Sequence, residues 1–204
     1  MYIKYSYWIF RNRVSKKDIA KIKNIAKETG YGDALTSTFY TPGRQNFQKG
    51  LKASRVRDTD VAFSSDSFLY DIFVPLVYSA NNQSGWKYDV DWFEPVQLAK
   101  YKKNQHYSWH MDGASDHFGI YDEGENFKGK VRKLSLVACL SDRHKGGDLE
   151  LALQEQGKEN TILNPEMKAG DVIVFPSYIF HRSTPVENGV KYSASMWCLG
   201  APFK

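Results

Sequence analysis

From Trp86 onward the chain is a series of short runs, many rich in aromatic and β-branched residues, each closed by a turn cluster. The runs are Trp86–Phe93, Val96–Tyr101, Val131–Leu140, Asp148–Leu153, Thr161–Leu163, Asp171–Phe175 and Tyr192–Leu199. Gly146-Gly147, Asn164-Pro165, Ala169-Gly170 and Asn188-Gly189 punctuate them. Many short strands with regular turns make an all-β sandwich or barrel. The expected fold is mainly β with supporting N-terminal helices, a double-stranded β-helix or jelly roll.

The first 85 residues have another texture. Tyr2–Phe10 reads as an entering strand. Ser15 is a candidate N-cap, and Ile19, Ile22, Ile25 and Ala26 recur at helical spacing up to the stop signal Gly30. Thr41-Pro-Gly-Arg44 reads as a turn, and Arg55–Phe63 as a strand. Ser65 or Asp66 caps a second helix whose apolar face is Phe68, Leu69, Ile72, Phe73, Leu76 and Val77, with Pro75 expected to kink or interrupt it. The 204 residues are expected to form one domain: 1–85 supply the strand and support helices, and 86–204 form the jelly-roll core with the site.

Charge is uneven: residues 1–57 carry 13 Lys/Arg against 3 Asp/Glu, and residues 58–204 carry 15 against 20. A Lys-rich solvated helix face explains the basic end more simply than an anionic partner. No run approaches the roughly 18 apolar residues of a membrane span, and no apolar leader ends in small residues. A cytoplasmic location is expected. Cys139 and Cys198 lie in apolar runs and read as buried thiols of a reducing compartment.

The chemistry gathers around Tyr101–Asp112. His110 and Asp112 stand two apart, so an extended strand projects both from one face. His181 arrives much later, after the Pro turn that ends Gly170–Pro176. A jelly roll brings distant strands face to face, so His110, Asp112 and His181 can form a two-histidine, one-carboxylate facial triad, the arrangement of non-haem Fe(II). Lys191 follows on the next β-run, where a cation can hold the far carboxylate of an anionic co-substrate. His106, His117 and His144 fall in polar surroundings and read as exposed.

With these pieces in order, the chain resembles the iron(II)- and 2-oxoglutarate-dependent oxygenases of the prolyl-4-hydroxylase-like branch, near the PKHD-type hydroxylases. The matching stretches are Tyr101–Asp112, Arg132–Leu140, Gly146–Glu150, Gly170–Pro176, His181–Val186 and Lys191–Trp197. The resemblance implies iron(II) on His110, Asp112 and His181, and the distal carboxylate of 2-oxoglutarate on Lys191 and Tyr101, assisted by Ser193. It implies Tyr107 and Trp197 in the substrate pocket. It further implies O2 as co-substrate, decarboxylation of 2-oxoglutarate to succinate and CO2, and a need for ascorbate. Two departures stand out: PKHD-type sequences usually carry Arg where this chain has Lys191, as prolyl-4-hydroxylases do, and Asn104 stands where Gly is common.

The implied activity is hydroxylation of a protein or peptide side chain, proline being the first guess. An oxidative nucleic-acid demethylase fits less well, because that branch pairs two arginines on the last strand and Lys191–Trp197 has none. A hydroxylase of amino acids or small molecules, a zinc hydrolase on the same ligands, and a non-catalytic jelly-roll binding module are the other readings. The loop Gly113–Lys130, with Phe118, Tyr121 and Phe127 among acidic residues, is a candidate substrate lid or an acidic excursion.

Overall fold

Alternation along the strands decides what each face of this fold can bury. The structure is a computed structural model and describes residues 5–34, 56–113, 119–122, 124–153 and 161–203. The turn at 41–44, His117 and Phe118 lie outside the described residues.

Helix α1 (Lys16–Thr29) starts where Ser15 accepts a hydrogen bond from the Asp18 amide, and ends at Gly30 with φ +87°. Helix α2 (Ser67–Gln83) is capped by Asp66 and runs on past Pro75. Pro75 and Asp71 both face solvent, so the carbonyl deprived of a partner by the proline ring is open to water. Between α2 and the barrel, only Trp92–Phe93 of the expected run Trp86–Phe93 is strand. The Asn81 side chain explains this. It binds both the N–H and the C=O of Tyr88 and holds the segment as a loop.

The larger sheet runs β1 (Trp8–Phe10), β12 (Val172–Pro176), β8 (Val131–Cys139), β15 (Lys191–Gly200), β6 (Val96–Tyr101), β4 (Asp60–Ser64) and β2 (Gly32–Asp33), with β5 (Trp92–Phe93) also on β15. The smaller sheet runs β11 (Thr161–Leu163), β10 (Leu149–Leu153), β13 (Phe180–Ser183), β7 (His106–His110) and β3 (Arg57–Asp58). A short pair joins β14 (Val186–Gly189) to β9 (His144–Gly146). From β6 to β15 the chain passes back and forth between the two sheets, which is the jelly-roll path.

One face of the larger sheet carries Leu98, Leu134, Leu136, Ala138, Ala194, Met196 and Cys198, packed with Ile22 of α1 and Leu69, Phe73 and Val77 of α2. The support helices therefore cover a largely apolar face. On the other face, Ile173 and Phe175 pack with Leu151 and Ile179. This second cluster fills one end of the space between the sheets. The other end is polar, and it holds the site.

His106 and His144 are half-buried strand residues, not exposed turn residues as expected. Asn104 stands at φ +68° in the β6–β7 turn. That is a left-handed position that asparagine tolerates almost as glycine does, so its departure from Gly has a simple reason.

Asp171 fastens β1 to this frame. It accepts from the Asn12 amide at 2.8 Å, the Arg11 guanidinium at 2.8 Å and the Lys168 amide at 3.0 Å. Burial opposes its charge, but these bonds and Arg11 outweigh it and hold the carboxyl below its ordinary value. A depressed carboxyl stabilises the fold above its unfolded pKa of about 3.9, and that contribution is lost as pH falls through the folded value. Asp171→Asn is expected to cost about 1–3 kcal/mol at neutral pH. In urea unfolding the deficit should shrink near pH 3; an equal deficit at both pH values would contradict this account.

Candidate metal centre

His110 closes β7 and pairs directly with His181 of β13 in the antiparallel register. Their rings lie 4.1 Å apart between centroids. Each Nδ1 bonds the backbone carbonyl two residues earlier, Ser108 for His110 and Ile179 for His181, both at 2.8 Å. This device leaves each Nε2 as the free ligand atom and fixes the ring plane. Asp112 follows the strand and is positioned by its amide, which donates to the Ser177 carbonyl at 3.0 Å. Its carboxylate oxygens stand 3.7 Å from His110 Nε2 and 3.5 Å from His181 Nε2. One ligand atom from each residue lies within 4.8 Å of the others.

The protonation states suit a cation. Burial presses the His110 imidazole down to about 3, aided by His181, so it is neutral. Burial pushes the Asp112 carboxyl up, but His181, His110, Arg132 and the Ser135 hydroxyl outweigh it and hold it at about 2. A neutral imidazole beside an ionised carboxylate is the state that metal binding requires. Two nitrogens and one oxygen on one side, facing an open cleft, fit a six-coordinate divalent ion with free positions. The donor set thus fits iron(II).

The cleft runs along the inner face of β6 and β15, where alternate residues turn inward. Gln97 and Tyr101 come from β6, and Lys191, Ser193, Ser195 and Trp197 from β15. Lys191 pairs with Tyr101 in register, and its Nζ lies 4.9 Å from the Tyr101 ring centroid. The same ammonium donates to Ser183 Oγ. Gly147, at φ +70°, makes room for it: a Cβ there would come within 3.0 Å of Lys191 Cδ and 2.9 Å of Val186. Tyr107 stacks on His110, with centroids 3.5 Å apart and planes at 16°. Trp197 lies under Arg132, whose guanidinium carbon is 4.1 Å from its ring and which forms a two-pronged pair with Glu94 at 2.7 and 2.6 Å. Tyr121, from the loop after the metal strand, reaches the same Glu94 at 3.4 Å.

All eight residues singled out in the sequence thus line one cleft. Sequence reasoning missed several of their partners. Ser135 donates to Asp112 Oδ2 at 2.7 Å and contacts Ser177 Oγ at 3.0 Å. Ser183 seats Lys191, Gln97 is buried with its Oε1 unpartnered, and Arg57 lies over Tyr107. Ser135 carried a signal: it is a lone hydroxyl in the apolar stretch Leu134–Cys139, on the face opposite Leu134 and Leu136.

The family model of the 2OG-Fe(II) oxygenase superfamily matches residues 96–199. The PKHD-type hydroxylase YbiX of Escherichia fergusonii is 31% identical over 188 residues, covering 90% of this chain and 74% of that protein. Among solved structures, the viral collagen prolyl hydroxylase of Paramecium Bursaria Chlorella virus-1, in complex with 2OG, aligns over 97% of both chains with a TM-score of 0.63 and 20% identity. A Trichoplax adhaerens prolyl hydroxylase, in complex with a hypoxia inducible factor peptide fragment, aligns over 95% of this chain and 83% of its own with a TM-score of 0.66 and 14% identity. At such identities the two structures share the fold.

The Ser135 bond offers a test of the centre. Ser135→Ala should leave the fold intact and weaken divalent-metal affinity about tenfold or more, as loss of a ligand-orienting bond does. Competition against a fluorescent chelator measures it, and wild-type affinity in the variant would mean that the hydroxyl does not orient Asp112.

Proposed function

The chain belongs to the 2OG-Fe(II) oxygenase superfamily as a PKHD-type enzyme, and we propose that it hydroxylates a side chain of a protein or peptide, proline first. In this reading His110, Asp112 and His181 hold iron(II). Lys191 and Tyr101, assisted by Ser193, hold the distal carboxylate of 2-oxoglutarate. Tyr107 and Trp197 wall the substrate side. The observation that carries the reading is the opposition across one cleft of the triad, on and just beyond the smaller sheet, and the Lys191–Tyr101 pair of the larger sheet.

Iron(II) with bound 2-oxoglutarate supplies O2 activation for C–H hydroxylation, releasing succinate and CO2. The protein's own part is positioning. The backbone carbonyls of Ser108 and Ile179 keep both imidazoles in the ligating tautomer. Ser135 turns the Asp112 carboxylate, and Ser183 steadies the Lys191 ammonium. Arg132, neutralised by Glu94, supports Trp197 from behind.

A peptide substrate is favoured by the prolyl hydroxylases of the same fold, one of them bound to a peptide. Ascorbate is the reductant that keeps the iron ferrous. The free thiols Cys139 and Cys198 suit a reducing compartment, in keeping with a cytoplasmic enzyme.

The deciding experiment supplies the iron-reconstituted protein with 2-oxoglutarate, ascorbate and proline-containing peptides. Succinate should form in step with a one-oxygen mass gain on a peptide. Absence of succinate with every peptide, amino acid and small metabolite tried would sink the proposal. Asp112→Ala should abolish both iron retention and 2-oxoglutarate turnover.

A pH signature follows from Lys191. Burial pushes its ammonium down to about 8, with Cys139 and Asp148 opposing. Only the charged form pairs with a carboxylate, so affinity for 2-oxoglutarate should fall as pH rises through about 8. Stability runs the other way. An unfolded lysine titrates at about 10.4, so between about 8 and that value the unfolded chain holds more protons, and the fold gains stability with pH. Lys191→Met should lose both trends; calorimetric titration of 2-oxoglutarate and thermal unfolding across pH 7–10 measure them.

A further inference from the structure

Arg57 is a buried cation, with 8% of its surface exposed. It sits on β3, directly beside Tyr107 of β7 in the register. Its guanidinium carbon lies 4.5 Å from the Tyr107 ring centroid. Among the described residues, Nε and Nη2 are buried without a hydrogen-bond partner. Among the described residues no carboxylate pairs with it. A buried charge left this way is costly, and one aromatic face offsets only part of that cost. Such a group signals an anion that completes it.

The direction is set by Tyr101. Tyr107, under the guanidinium, packs against the cluster that holds Tyr101; burial raises the Tyr101 phenol, and the neighbouring Arg57 and Thr59 oppose that shift. A guanidinium has donors alone, so toward Arg57 the phenol oxygen can only accept. The hydroxyl proton is then free to be donated elsewhere. Lys191 approaches the same ring from β15. Two cations, one from each sheet, thus converge on one phenol.

We propose that Arg57 is a positioning residue of the co-substrate site: it holds the Tyr101 hydroxyl as a donor toward the distal carboxylate of 2-oxoglutarate and adds a second positive charge to that end of the cleft. The assignment rests on the reading of Lys191 and Tyr101 as the co-substrate anchor. It explains why a cation is buried with open valences on a strand that carries no other part of the site.

The test titrates two keto acids into Mn(II)-loaded protein without oxygen, read by calorimetry. 2-Oxoglutarate carries the distal carboxylate; 2-oxovalerate keeps the chelating end and lacks it. Arg57→Met should weaken 2-oxoglutarate binding about tenfold or more, the size of a lost charge-assisted hydrogen bond, and leave 2-oxovalerate unchanged. Arg57→Lys, which keeps the charge without the planar fork, should fall between. Equal losses for both acids would mean that Arg57 only packs the barrel, and would overturn the inference. If Arg57→Met binds 2-oxoglutarate like the wild type while Lys191→Met does not, the inference fails and the anchor stands. If neither substitution matters, the anchor itself is wrong. Should Arg57→Met not fold, Arg57→Lys decides: intermediate affinity for 2-oxoglutarate alone supports the inference, and wild-type affinity overturns it.

Discussion

The antiparallel pairing of His110 with His181 is the contact on which the site depends. Two residues 71 positions apart become neighbours on adjacent strands, and each is then oriented by the same local device, a bond from Nδ1 to the carbonyl two residues back. The third member of the triad needs no strand of its own. Asp112 lies two residues beyond His110, where the chain leaves the sheet, and the Ser177 carbonyl catches its amide. A one-residue slip of β13 against β7 would turn His181 to the outer face and dissolve the triad.

That register holds because the two sheets share their burden unevenly. The helices α1 and α2 cover the outer face of the larger sheet with apolar residues. One end of the interior is filled by Ile173, Phe175, Leu151 and Ile179. The barrel is thereby fastened on two sides, and the inner face of β15 can present Lys191, Ser193 and Ser195 without a net loss of fold. The alternation is clear along β15: Ala194, Met196 and Cys198 face the helices, and Lys191, Ser193, Ser195 and Trp197 face the cleft. One strand thus serves stability and chemistry by turns of the pleat.

Much of this was legible in the residues. The His110–Asp112 spacing, the short β-runs and the Ser15 cap depend on local geometry, which the chain states directly. The second helix was legible too, but its passage through Pro75 was not, because that depends on where Asp71 and Pro75 face. The strand β9 was hidden, since His144–Gly146 has no apolar alternation; its pairing is imposed by neighbours. The same limit hid Ser183 and Arg57, whose parts come from contacts between strands far apart in sequence, whereas Ser135 was marked by its apolar neighbours but not its bond to Asp112. Tyr107 shows the converse. Its place at the cleft was readable, but its stacking on His110 and under Arg57 was not.

The balance of charge in the cleft says what it is built to receive. Arg132 is matched by Glu94, and Asp112 stands among two imidazoles. Lys191 and Arg57 have no carboxylate of their own among the described residues, and both are buried. Water at this end would solvate them poorly, and burial already presses Lys191 toward its neutral form. An anion arriving there relieves both groups at once, so the protein gains most from a ligand whose negative end reaches past the metal ligands to Tyr101. A keto acid with a single carboxylate satisfies the metal side alone. A dicarboxylate satisfies both ends of the cleft. In the proposed reading, selectivity for the dicarboxylate arises from the cost of leaving two buried cations uncompensated, and the distance between the triad and Lys191 sets the length of the acid that can do so.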